Sequence, residues 1–501
     1  MRSRRLATTA VATVSALAVL AVPGHAAGTP KAEAQPISWG ACEDVPQQAT
    51  GLECGTLTVP LDHDKPGGDT VGLPLIRAKA TGDKAGSLLM HLGGTGAHRA
   101  AFAQSHSAYA ALRTRYDLIA YDQRGSGGDT QVKCGSDRDI DRRYSLTAGL
   151  KRAAEHARFF QEVARYTSAC AKNSGRVLPH LGTAENARDL EQLRKALGEE
   201  KLNYYGVSFG SAVGGVYATL FPQRVGRMVM DAALDPRQTP TDVARNTTAE
   251  MQRTYEKFLA GCVKDGCDLG KTAKAADKTV QGLVRKLKHS PLKVGNRTLT
   301  PALAVNALVL SSASQLWGEV EAALALALKG DGAAMLQLAD AITGRDTAGV
   351  YGPGGAAGAM AGDGTYCRDR VRETRRGVVR ADAELTRISP LFGPLAVFSG
   401  VSNSVIAACA LWPVPDNPEG RTVNHTGATP IVVLNSTGDR AAPPPGAAAL
   451  AKQLKTAVRV TYQGSLHGAY PGGGPCVVNA VEGYLLGGTL PADGGTCPSV
   501  E

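Results

Sequence analysis

The sequence predicts an α/β fold, a mostly parallel central sheet carrying one large inserted helical cap domain. Three observations carry this prediction. Short apolar runs ending in turn residues alternate with helical segments through the first part of the chain, the alternation stops near Pro236, and it resumes at Pro430 after a long Ala-rich, helix-patterned stretch. A chain of 501 residues exceeds one ordinary core, so a core plus an insertion is the simplest division. The expected divisions are an export signal over 1–26, the first part of the core over 27–235, the cap over 236–428 and the C-terminal part of the core over 429–501.

At the start, Arg2, Arg4 and Arg5 form a basic region before the uncharged Leu6–Val22, and Gly24-His25-Ala26 offers small residues for cleavage. Thr and Ser interrupt the apolar run and no charged stop-transfer flank follows. A removed signal therefore fits better than a retained membrane helix, which implies a secreted chain with no stable membrane insertion. Arg4-Arg5 leaves Sec and twin-arginine export both open.

The core strands are expected at Leu88–Leu92, Tyr116–Tyr121, Leu202–Tyr205, Arg227–Asp231, Pro430–Asn435 and, as the last, Val458–Tyr462. An amphipathic helix is expected over Thr183–Leu197, with Leu190, Leu193 and Leu197 on one face and Gly198 ending it. Another is expected near Ala447–Leu454. The insertion shows no strand series and contains a Gly-rich loop at Gly349–Gly364.

Charge and cysteines limit the function classes. Losing the signal lowers the net charge from +10 to about +7, and the basic residues are scattered. Nucleic-acid binding, which needs a concentrated basic stripe, is not indicated. The ten cysteines include no Cys-x-x-Cys pair, so an exported chain would use them in disulfides and not on a metal. The most local pairing is Cys42–Cys54, Cys134–Cys170, Cys262–Cys267, Cys367–Cys409 and Cys476–Cys497, although spacing alone leaves the connectivity open. No Walker, Rossmann, zinc or EF-hand pattern is present, so no cofactor or metal is implied. The oligomeric state is not readable.

The chemistry concentrates at Gly206-Val207-Ser208-Phe209-Gly210, which follows an apolar strand and opens a small-residue helix. This is the context of a nucleophile elbow, where flanking glycines let a strained turn expose the serine hydroxyl. A nucleophilic serine needs a base, and the base needs an orienting acid. Of the histidines after Ser208, His289 lies in a Lys-rich helical segment, His425 precedes the resumed strands, and His467 follows the final strand in a loop. His467 is the candidate base. Asp439, just beyond the Pro430–Asn435 strand, is the candidate acid. The amides of Phe209 and of Gly94, in Gly93-Gly94-Thr95-Gly96, are the candidate oxyanion donors.

Further segments carry a family likeness: Cys54–Asp62, Tyr121-Asp122-Gln123-Arg124-Gly125, Tyr217–Pro222, Trp317, Gly330-Asp331, Cys367-x-Asp369, Cys409-x-x-Trp412-Pro413 and the tail from Cys476 through Tyr484-Leu485-Leu486-x-Gly488 to Cys497. With the elbow, they make the chain resemble the secreted actinobacterial tripeptidyl aminopeptidases, proline-iminopeptidase-like serine peptidases of the α/β-hydrolase fold. The resemblance implies that fold, supports the local cysteine pairing, and implies peptide substrates with free N-termini. The chain departs from the family's usual Gly-Gly-Pro-Gly-Gly-Ser-Gly at Gly93–His98, and from Asp-x-x-Thr-Pro at Asp439–Pro443. Acidic cap residues would receive the substrate ammonium, with Glu319 and Glu321 as candidates, although solvation is the readier role for both. Two other readings are a secreted carboxylesterase or lipase of the same fold and a catalytically weak binding protein.

Overall fold

The computed structural model describes residues 36–43, 45, 51–146, 149–351, 358–398 and 405–500. The expected signal over 1–26 lies outside them. The described residues form one compact unit.

Nine strands form one sheet: β1 (Leu52–Pro60), β2 (Thr70–Ala78), β3 (Gly86–His91), β4 (Tyr116–Tyr121), β5 (Leu202–Val207), β6 (Val225–Asp231), then β9 (Ile431–Ser436), β10 (Ala457–Tyr462) and β11 (Gly495–Cys497), with β7 and β8 lying apart within the insertion. Their order is β1-β2-β4-β3-β5-β6-β9-β10-β11. The pairs β1–β2 and β2–β4 are antiparallel and every later pair is parallel. The expected strands are all present, but β10 is not the last. β11 adds beside it in parallel, and Cys476–Cys497 ties it to the helix Gly474–Gly487.

Strands β3, β4 and β9 are buried at every position, as a parallel sheet covered on both faces requires. Alternate residues face opposite cores. Leu89, Ile119, Tyr204 and Met228 pack on one side against the helix Phe209–Leu220, while Leu88, Leu118, Tyr205 and Val229 pack on the other against Gly474–Gly487. The helix Thr183–Ala196 matches its expectation, with Gly198 just beyond it at φ 72°.

One family-like motif proves to be a clamp. Arg124, just past β4, is 1% exposed. Its Nε donates to Asp189 Oδ2 on the Thr183–Ala196 helix at 2.6 Å, and its Nη1 donates to Leu61 O at 2.9 Å beyond β1. Removing one partner from such a buried pair costs about 3–5 kcal/mol.

Between β6 and β9 the chain is mainly helical, opening at Pro240–Lys264, where Thr239 and Asp242 form a capping box. It also contains a small hairpin of β7 (Leu292–Val294) and β8 (Arg297–Leu299), which the sequence analysis did not anticipate. Gly295, at φ 59°, and Asn296 make its two-residue turn. The expected Gly-rich loop is corrected in part, because Gly358–Asp369 is a helix. Gly362 is there for close packing: a Cβ on it would lie 2.8 Å from Thr95 Oγ1.

All ten cysteines form disulfides, in the local pairing. Among the described residues no helix is long and apolar enough to cross a membrane.

Candidate active site

Ser208 joins β5 to the helix Phe209–Leu220 with φ 55° and ψ −117°, a left-handed conformation that L residues avoid. Such strain costs about 1–3 kcal/mol and persists only where surroundings hold it. Here the Ser208 amide donates to Asp231 O at 2.9 Å, and Ser211 returns its amide (2.9 Å) and hydroxyl (2.5 Å) to Ser208 O. The flanking glycines permit the close approach. A Cβ on Gly206 would sit 2.7 Å from Gly210 O, and one on Gly210 would sit 2.9 Å from His91 O.

His467 and Asp439, remote in sequence, meet directly. His467 Nδ1 lies 2.8 Å from Asp439 Oδ2 and 3.0 Å from Oδ1. Asp439 is 2% exposed, and its Oδ1 accepts the Ala441 and Ala442 amides at 2.8 and 3.0 Å. A carboxylate so placed holds the proton on Nδ1 and leaves Nε2 as the acceptor, which is the tautomer a general base needs. The ring itself is partly open to solvent. No hydrogen bond joins Ser208 Oγ to Nε2 in this conformation. That contact is often long without substrate and tightens in the complex.

The histidine loop nevertheless lies against the elbow. A Cβ on Gly468 would be 3.1 Å from Val207 Cγ1, next to Ser208 in the chain. Asp231, the last residue of β6 and 0% exposed, holds it there. Its Oδ1 accepts the Ala469 amide at 3.1 Å, and its Oδ2 accepts the Tyr470 amide at 3.0 Å and the Tyr205 hydroxyl at 2.9 Å. Burial raises the Asp231 pKa above the usual carboxylate range, against the pull of these donors. In the sequence Asp231 reads only as a strand residue. Its sole sequence signal is an acid that directly follows the apolar Met228-Val229-Met230 run.

The Gly93-Gly94 loop follows β3, and a Cβ on Gly93 would lie 3.4 Å from Ser208 Cβ. A Cβ on Gly94, at φ 67°, would meet nothing within 4 Å. Phe209 opens its helix, where the first amides have no intrahelical acceptor and the dipole favours negative charge. The departures from the family loop have structural partners. The Thr95 hydroxyl donates to Gly358 O at 2.9 Å, tying the loop to the helix Gly358–Asp369, and the buried His98 ring lies 4.1 Å from His91. Burial lowers the pKa of both histidines, His91 to about 4, so neither adds a cation near neutral pH.

Behind Phe209 lies a cavity of about 120 Å³ walled by Leu234, Val243, Met251, Tyr366 and Arg440. At about 10–15 Å³ per water, it has room for one or two side chains. Asp369 also borders it, with both oxygens bonded to Thr183 and its pKa pushed up to about 7 by burial. Glu319 and Glu321 are not part of this wall. Glu319 is exposed on the helix Trp317–Leu328, and Glu321 stands beside Cys262 and Cys267. Helical spacing put both near Trp317 without saying which way that helix faces.

Similarity to known proteins agrees with this geometry. Residues 395–497 match a family model described as TAP-like protein. The chain is 32% identical to serine protease Hip1 of Mycobacterium tuberculosis, over 97% of this chain and 96% of that one. It is 31% identical to carboxylesterase B of the same organism, over 93% and 91%. It is 27% identical to tripeptidyl aminopeptidase of Streptomyces lividans, over 95% and 89%. The chain belongs to the tripeptidyl aminopeptidase family of serine peptidases, with the α/β-hydrolase fold.

Proposed function

We propose that Ser208, His467 and Asp439 are the catalytic triad of an exported aminopeptidase that releases tripeptides from free N-termini. The observation that carries this reading is the His467–Asp439 pair, held by Asp231 and Gly468 against a serine in the strained elbow conformation. Ser208 Oγ attacks the scissile carbonyl as His467 Nε2 takes its proton. The Gly94 and Phe209 amides receive the oxyanion. His467 then returns the proton to the leaving amine, and water hydrolyses the acyl-enzyme by the reverse path. The residues between β6 and β9 act as the cap and limit how much peptide enters.

Five disulfides and the signal-like 1–26 support export. The tripeptide product rests on the Streptomyces relative's name and on the family resemblance. A carboxylesterase is the second reading, favoured by the name of the relative at 31% identity. The test offers tripeptidyl p-nitroanilides with free and acetylated N-termini beside short p-nitrophenyl esters. The proposal expects the free tripeptide to be preferred by at least about tenfold, roughly 1.4 kcal/mol. Equal cleavage of both peptides would contradict an aminopeptidase, and ester turnover with no amide turnover would favour the esterase.

A further inference from the structure

Arg440 stands one residue past Asp439, on the wall of the cavity behind Phe209. The acids around it are already engaged. Asp439 is bonded to His467 and to two amides, and Glu250 binds Arg253. Asp369 accepts from Thr183, and Asp235 from Arg237 and Gln453. Among the described residues none forms a hydrogen bond or ion pair with the Arg440 side chain. A guanidinium remains protonated through the physiological range, so this is a half-buried cation with no hydrogen-bonded or ion-paired partner, on which Asp439 and Glu250 act only through longer-range attraction.

Its surroundings sharpen the point. Leu234, Val243 and Met251 form the apolar part of the cavity wall, and Gln238, Asn246 and Thr247 add neutral polar side chains that cannot balance a charge. Arg370 lines the same cavity with its guanidinium 4.5 Å from the Tyr366 ring. Burial keeps Asp369 protonated to about neutral pH, so it offsets little of that charge in acid. The space suits a side chain with a short aliphatic stem and a terminal anion, which the planar fork of an arginine binds in bidentate fashion.

We infer that Arg440 is a specificity-determining residue that selects peptides with an acidic side chain on the residue whose carbonyl is attacked. That position follows from Phe209, which is both next to Ser208 and part of the cavity wall. The inference rests on the peptidase reading above.

The experiment compares Ala-Ala-Glu, Ala-Ala-Gln and Ala-Ala-Lys p-nitroanilides, together with peptides carrying Glu at the first or second position. The wild-type kcat/KM is expected to favour Glu over Gln by about tenfold or more at the third position alone. The Arg440→Gln variant should bring that ratio to about one, Arg440→Lys should leave it intermediate, and Arg440→Glu should turn the preference toward Lys. Fluorophosphonate labelling of each variant shows that its site is assembled. A wild-type ratio near one, a preference at another position, or an unchanged ratio in labelled Arg440→Gln overturns the inference. If esters are cleaved and peptides are not, the peptidase reading fails separately. Mono-p-nitrophenyl succinate against p-nitrophenyl butyrate then decides Arg440, and equal rates, or a succinate preference that survives Arg440→Gln, overturn its role.

Discussion

Asp231 and Asp439 lie at the ends of neighbouring strands, and both serve the same histidine loop in different ways. Each is buried and each accepts two or more backbone amides. Asp439, three residues beyond β9, reaches the His467 ring, while Asp231, still within β6, reaches only the main chain just after it. A side chain that meets the imidazole sets its tautomer, and one that meets the amides sets where the loop lies. The carbonyl of Asp231 also takes the Ser208 amide, so this one residue ties the Ser208 turn to the His467 loop. On the proposed mechanism two similar carboxylates thus divide the work, one acting on the proton and the other on position.

Substitution separates the two roles. The largest effect is expected from Asp439→Asn, which keeps the shape but favours the wrong imidazole tautomer. A fall of about 10⁴-fold in kcat with an intact fold is expected, read by steady-state kinetics and circular dichroism. Asp231→Asn should reduce kcat by about 10–100-fold with little change in KM, because the triad's chemistry remains while its geometry loosens. A loss in Asp231→Asn as deep as in Asp439→Asn would erase the distinction, and no loss would remove Asp231 from the site.

A third buried acid supplies the smallest and most pH-dependent effect. The folded pKa of Asp369 is raised to about 7 from an ordinary 3.8, so the folded state holds a proton that the unfolded chain releases. Its stabilising contribution is complete below about pH 4 and is lost as pH rises through about 7, a change on the order of a few kcal/mol. Asp369→Asn removes that slope. Thermal melts should show the variant gaining on the wild type between pH 5 and pH 8, and a constant difference in Tm would refute a protonated Asp369.

The core was legible in the sequence because buried parallel strands read as apolar runs, and β4 was bounded to the residue. The elbow was legible because close approach at Gly206 and Gly210 restricts those positions to glycine. The proposed base and acid were picked out by chain order and strand ends, and the structure brings the two side chains into contact. Asp231 and Arg440 were not singled out, since what each side chain meets depends on which loops come together across the sheet edge. Glu319 and Glu321 were drawn toward the site by proximity in sequence to Trp317, which carries no information about direction. The helix at Gly358–Asp369 was missed because its glycines read as loop, whereas Gly362 serves a contact with Thr95.

The most direct measurement of the central claim is the site of covalent labelling by a fluorophosphonate, mapped by peptide mass spectrometry. A single adduct on Ser208, abolished in His467→Ala, is the predicted result. An adduct on a different serine, or an unlabelled Ser208 in folded protein, would contradict it.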